Sequence, residues 1–348
     1  YEADFKIREL DQKILALRKE IQQKQSEITE EIKKLNEKIQ VSMDSELDLY
    51  LDISYVGDSM ERYENIELFR SLRKGHRSVK SFDMDTYKDE LVQMAQRMDE
   101  EALLVQKKLS HLIQNSNYSE KNTGWYAPYE RKVHMDMADN AHEKALGNGL
   151  IGSWQTKFHE EGHQIDHLLG CTDKFGDGAV RAFTHPSTTV GKKLSEVLEK
   201  DLSSFLNKAI QYSNEKEGCS YKPFSSFGRI SKDTKFAYAR YVNYLTSNLT
   251  DKKVKCQLGI LSDAMGLFTQ DRISAHGNGL WGHSSSYNKD RGKAGANSET
   301  WATFCAMRVC GSKEEIEMVK SILPETWDYL NKIYSDVAKY LETNDFSY

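Results

Sequence analysis

Apolar residues return every seventh position near the start of the chain. Ile7, Ile14, Ile21, Ile28 and Leu35 form one row, with Leu10 and Leu17 at the matching second positions. Lys24 and Glu31 interrupt that second row, and Ile32 and Ile39 continue on a shifted face. Heptads sustained in this way predict a long amphipathic helix of coiled-coil type over 5–40. Tyr87, Leu91, Met94, Met98, Leu103, Leu104 and Leu109 recur at near-helical spacing, with neither Pro nor Gly between them, and predict a second helix over 85–115. The two are expected to pair as an antiparallel hairpin; a coiled coil with a second chain is the alternative. The basic residues between them, Arg70, Arg73, Lys74, His76, Arg77 and Lys80, are read as a solvated face or turn.

The pattern changes after residue 115. A polar, turn-rich stretch over 115–124 suggests a domain boundary, giving 1–115 as a helical coiled-coil hairpin and 116–348 as a second domain. Residues 132–137 alternate apolar and polar, which predicts a half-buried strand over 131–137. Helical periods follow at 153–169, 190–214, 232–247, 252–268, 298–311 and 313–343. The interval 275–298, rich in Gly, Ser and Asn, reads as a long functional loop. The expected fold class is mainly α (α+β), with a small sheet.

Composition narrows the function. Net charge is −5, from 48 basic and 53 acidic residues, so no nucleic-acid partner is expected. No run of apolar residues is long enough for a membrane span. The five cysteines have no tight pairing and suggest neither a disulfide framework nor a zinc ribbon. They fit a reducing compartment or a disulfide-free exported protein, and the compartment is left unassigned. A start at Tyr1 without a leader suggests a fragment or processed product of a larger parent chain.

Two glycine patterns carry little. Gly147-Asn-Gly149-Leu-Ile-Gly152 and Gly277-Asn-Gly279-Leu-Trp-Gly282 match GxGxxG, but neither has the strand before and helix after that a dinucleotide site needs. His142-Glu143 fails as a metal motif because Leu146 stands where the second histidine should be.

His159-Glu160-Glu161-Gly162-His163 is HExxH within a predicted helix. Residues four apart lie one above the other, so two imidazoles can converge on one ion. Glu160 is turned aside by about 100° and can take a proton from water beside that ion. A catalytic zinc wants a third protein ligand and an open position. His167, another four residues on, lies roughly 6 Å too far along the axis and reads as a helix-end or surface histidine. Glu299, in Asn297-Ser298-Glu299-Thr300-Trp301-Ala302, is the better candidate. Its position in the first turn of a helix capped by Ser298 or Asn297 would also be ordinary capping chemistry. Asp263, His276 and His283 are other possible ligands.

Phe158-His-Glu-Glu-Gly-His-Gln-Ile-Asp166 resembles the HExGHxxD helix of gluzincin metallopeptidases, and is similar to the anthrax lethal factor catalytic domain and related zincin domains of toxins and phage-associated proteins. That resemblance, over about 125–310, implies a zincin-like domain with an active-site helix and a Zn2+ cofactor. It implies a third ligand at the glutamate of an E-x-x-A helix, matched by Glu299-Thr-Trp-Ala302, and an assisting tyrosine before it, matched by Tyr287. Glu161 puts a charge where those enzymes carry none, and the 136 residues between His163 and Glu299 demand a helical insertion.

The expected activity is that of a zinc metalloendopeptidase acting on a peptide or protein. His159, His163 and Glu299 hold the metal, Glu160 is the general base, and Tyr287 or His283 donates to the oxyanion. Asp166 is expected to orient a ligand imidazole, and strand 131–137 to be the edge to which an extended substrate adds. Two other readings stay open. One is a structural or binding protein with an incidental or inactive zincin domain; the other is a zinc hydrolase of non-peptide amides.

Overall fold

A computed structural model of the chain describes residues 98–109, 115–117, 124–128, 132–135, 155–172, 174–176, 182–273 and 282–344, with isolated helical positions between 13 and 34. The glycine pattern at 147–152, His142, His276, the basic cluster and most of the expected hairpin lie outside them. Leu17 and Ile21, on the expected heptad face, are helical and 57% and 55% exposed. At these two positions the expected burial is not found.

The described residues are mainly helical. The elements are α1 (Glu100–Leu109), β1 (Asn115–Asn117), β2 (Trp125–Ala127), β3 (Lys132–Met135), α2 (Gln155–Gly170), α3 (Thr189–Glu217), α4 (Lys232–Asn248), α5 (Lys252–Cys256), α6 (Gly259–Phe268), α7 (Ser285–Cys310), α8 (Lys313–Ile322) and α9 (Pro324–Thr343). The short strands run in the order β1-β3-β2, β3 parallel to β1 and antiparallel to β2. β3 is therefore the central strand, and the expectation of a free edge at 131–137 is corrected. Both of its ladders are already taken.

Local chemistry sets most boundaries. Thr188 and Ser231 accept backbone hydrogen bonds from Gly191 and Thr234 and start α3 and α4. Gly218 ends α3 in the left-handed conformation, φ 69°. Ser312 and Glu315 make a capping box at α8. Pro324 at the head of α9 divides the expected 313–343 helix in two. With no side-chain cap of its own, α9 has its Glu325 and Thr326 N–H groups satisfied by Asp201 of α3, at 3.3 and 2.7 Å. Burial pushes the Asp201 carboxyl above its usual range, against the lowering by those N–H donors.

The core is formed by α2, α6 and α7. Every residue of α6 is buried, and α7 packs along both α2 and α6. The helix expected at 252–268 is split into α5 and α6. Gly162 of α2 lies so close to α7 that an added Cβ would stand 2.8 Å from the Ala302 Cα. The Trp301 indole donates to the Gly162 carbonyl at 3.1 Å and locks that contact.

The chain divides into two compact units, Tyr1–Ile66 and Glu67–Tyr348, which differs from the boundary expected at 115/116. The reason is α1. It buries Ala102, Val105 and Leu109 and packs on α9. Arg308 of α7 donates to Asp99 and Glu101 at 2.7 and 3.2 Å, and Ser335 of α9 donates to Glu101 at 2.5 Å.

Candidate metal centre

Two helices bring the site together. On α2, His159 and His163 stand a turn apart with rings at 4.9 Å and 88° to one another. On α7, Glu299 offers its carboxylate to both: Oε2 lies 3.1 Å from His159 Nε2 and 3.4 Å from His163 Nε2. A tetrahedral ion with bonds of about 2.05 Å sets its ligand atoms about 3.3 Å apart, close to both distances at Glu299, and all three atoms lie within 4.8 Å of one another. Glu299 is 2% exposed. Burial alone would raise its pKa, but His163 and the hydrogen bonds from both imidazoles hold the carboxyl well below its usual range.

Each imidazole has a partner behind it. His163 Nδ1 lies 3.0 Å from the Ser298 hydroxyl, which donates to Asp166 Oδ2 at 3.1 Å. Asp166 also accepts from the Thr184 N–H and hydroxyl, at 2.9 and 2.6 Å. Burial pushes its pKa up to about 6, although these donors and His163 pull it down. Asp166 thus acts on the imidazole through Ser298 rather than directly. His159 Nδ1 has Thr303 Oγ1 at 3.4 Å. Such contacts fix the ring and tautomer of a metal-binding histidine.

The expected loop at 275–298 is corrected by α7, which is helical from Ser285. Ser284 caps it, accepting from the Tyr287 N–H, so neither Asn297 nor Ser298 is a cap. The helix breaks at Gly292, whose φ of 52° and ψ of −142° suit glycine. The break lets the first two turns lie apart from the rest, and from them the Tyr287 hydroxyl donates to Glu299 Oε1 at 2.5 Å. His283 stacks on Tyr287 at 4.2 Å and 18°, with its Nδ1 2.9 Å from Asp263 Oδ1. Burial lowers the His283 pKa, but Asp263, Glu299 and Glu160 outweigh it and push it up to about 9. Burial and Glu299 push the Tyr287 hydroxyl well above its usual range, and Glu160 adds to this. The influence of Glu160 on His163, His283 and Tyr287 puts its charge among the same groups.

The structure therefore gathers His159, His163, Glu299, Glu160, Tyr287 and His283. His167 is apart from them. It is buried rather than on the surface, 3.0 Å from the Tyr126 hydroxyl on β2. Glu161 is neutralised by Lys157, one turn earlier and equally buried, which explains how the motif tolerates a charge there.

Three contributors were not assigned these roles from sequence. Thr303 follows Glu299 by four residues, so helical spacing could have found it. Asp263 is the sole acid in the otherwise apolar α6, which was a usable signal. Asn297, read as a cap, is buried and donates to the Thr184 and Gly191 carbonyls, both at 2.8 Å, and to Ser195 at 2.9 Å. Nothing local in the sequence marks that role.

No protein-family model matches the chain, and neither a curated protein nor a solved structure matches it. All five cysteines are free, and no described helix is long and apolar enough to cross a membrane.

Proposed function

We propose that the chain is a zinc-dependent metallopeptidase of the gluzincin type, with α2 as the active-site helix of a zincin-like domain. The observation that carries this reading is the convergence of His159 and His163 on one oxygen of Glu299, at 3.1 and 3.4 Å, from positions up to 140 residues apart in the chain. A zinc held by these three residues would supply Lewis acidity towards a carbonyl oxygen and water.

The chain's own groups do the rest. Glu160, beside the ligands and partly exposed, accepts a proton from water and returns it to the departing amine. The Tyr287 hydroxyl, which donates to Glu299, would turn its proton to an oxygen developing charge beside that carboxylate, and His283 is the second donor candidate. Asp166, Ser298 and Thr303 keep the imidazoles aimed. The expected substrate is a peptide or protein in extended form. With β3 flanked on both sides, strand addition would have to use the edge of β1 or β2.

The test is Glu160→Gln, assayed for zinc content and for cleavage of an unfolded protein such as casein. Zinc should stay at its wild-type level while hydrolysis falls by orders of magnitude, because a general base acts jointly with the metal. Equal turnover in the variant would overturn the mechanism. Zinc without cleavage in the wild type would favour a binding protein or a hydrolase of other amides.

A further inference from the structure

The start of α7 carries a column of three side chains spaced four residues apart. His283, just before the cap, stacks on Tyr287, and the Arg291 guanidinium stands over the same ring, its Cζ 5.5 Å from the ring centre. At that distance the ring attracts the cation and restricts it. The stem of Arg291 is held as well. Gly295, beyond the bend, leaves room for it: a Cβ there would stand 2.6 Å from the Arg291 Cβ.

The column is bonded except at this end. His283 Nδ1 lies 2.9 Å from Asp263, and Tyr287 donates to Glu299 at 2.5 Å. Arg291 is exposed and has neither an ion pair nor a hydrogen bond among the described residues. Lys293, on the other side of the break at Gly292, differs in having Glu199 at 3.0 Å. The charge of Arg291 still reaches the centre. Burial and Glu299 raise the Tyr287 pKa, and Arg291 opposes them. A guanidinium presents paired N–H donors in a planar fork that matches a carboxylate.

We propose that Arg291 binds a carboxylate of the substrate beside the scissile bond, either an acidic side chain or the C-terminal carboxylate. This subsite rests on the reading of the centre as a peptidase. The path from Arg291 to Glu299 crosses one ring, with 5.5 Å to its centre and 2.5 Å from its hydroxyl to the carboxylate. That is no more than about three residues of extended chain, at about 3.3–3.6 Å each. Arg291 is therefore a specificity residue, on the same helix as the metal-ligand candidate Glu299 and the oxyanion donor candidate Tyr287.

The test uses the zinc-loaded full chain and peptides built around a bond that it cleaves in casein, located by mass spectrometry. In one set, each position within about three residues of that bond carries Glu, Gln or Lys in turn, with an amidated C-terminus. In a second set the peptide ends there, as free acid or amide. At one position Glu should exceed Gln about 10- to 100-fold in kcat/KM, or the free acid should exceed the amide by as much, as expected for a hydrogen bond between charged groups. The first result assigns an acidic side chain as the ligand, the second the C-terminal carboxylate. Arg291→Gln should bring the ratio near one, Arg291→Lys should keep part of it, and Arg291→Glu should favour Lys. The same order should appear in the Kd of these peptides for the zinc-loaded Glu160→Gln chain. Cleavage without a charge preference, or with one that survives in Arg291→Gln, would overturn the subsite and leave the peptidase reading standing. No cleavage of casein or of any peptide would overturn both.

Discussion

The hydroxyl of Tyr287 donates to Oε1 of Glu299 at 2.5 Å, twelve residues along a helix that bends between them at Gly292. A straight helix would put them three turns apart. Tyr287 is therefore tied to a metal-ligand candidate, and its one hydroxyl proton would have to leave Glu299 to serve a substrate oxygen. Tyr287→Phe should lower turnover roughly 10- to 1000-fold, the range for losing one oxyanion donor. It should also weaken zinc affinity about 10- to 100-fold, as losing a hydrogen bond to a ligand does. Turnover and a zinc competition assay on the same variant check both, and unchanged turnover would assign the donor role elsewhere.

Zinc should be lost from His163→Ala and from Glu299→Ala. Glu299→Ala removes the carboxylate that meets both imidazoles, so it should abolish metal binding as fully as His163→Ala does. Elemental analysis after dialysis reads this directly. Full occupancy in Glu299→Ala would leave the site without its proposed third ligand.

Zinc uptake should release protons. Burial would lower the His163 pKa, but Glu299, Glu160 and Asp166 push it up to about 9. A metal needs the neutral ring, so below about pH 9 zinc must displace a proton from His163. Affinity should then rise about tenfold per pH unit per proton released across pH 7 to 9, where an ordinary histidine would already be neutral. Calorimetric titration at pH 7.5 in two buffers of different ionisation enthalpy measures the release. None at all would mean neutral imidazoles in the metal-free protein.

Gly162→Ala tests the helix contact beneath the site. Alanine favours a helix by up to about 1 kcal/mol over glycine. Here its Cβ would meet the Ala302 backbone at 2.8 Å, and neither helix can give way without moving His163 or Glu299. Overpacking of this kind costs about 1–3 kcal/mol. The clash should win, and the expected result is a lower melting temperature together with weaker zinc binding.

Truncation separates the two boundaries. A chain starting at 116 lacks α1 and uncovers the α9 face that Ala102, Val105 and Leu109 bury. At about 1.5–3 kcal/mol for each large apolar side chain, Val105 and Leu109 alone account for about 3–6 kcal/mol, a large share of a domain's stability. It should aggregate or melt far below a chain starting at 67. Equal melting temperatures would support the boundary at 116.

What could be read from the sequence was what is local. The HExxH spacing on α2, the helical character of 190–214 and 232–247 and the Glu299 motif all rest on periods of three or four residues. What escaped depends on residues distant in sequence. Glycine and asparagine between 284 and 298 made a helix look like a loop, because Gly292 is needed for a bend and Asn297 for buried hydrogen bonds to α3 and the turn before it. The packing of α1 was out of reach for a similar reason: its partners lie some two hundred residues later, as in the contact of Asp99 with Arg308.

Asn297 has a wider consequence. Its amide fastens the turn before Glu299 to Thr184, Gly191 and Ser195, which lie at the entrance to the long stretch separating the two motif helices. α6, from the same stretch, returns Asp263 to His283. That stretch is therefore not an appended lobe that could be trimmed to leave a minimal enzyme. A descendant that shed it would lose the clamp on the Glu299 helix and the far wall of the centre together, so shortening and inactivation should go hand in hand.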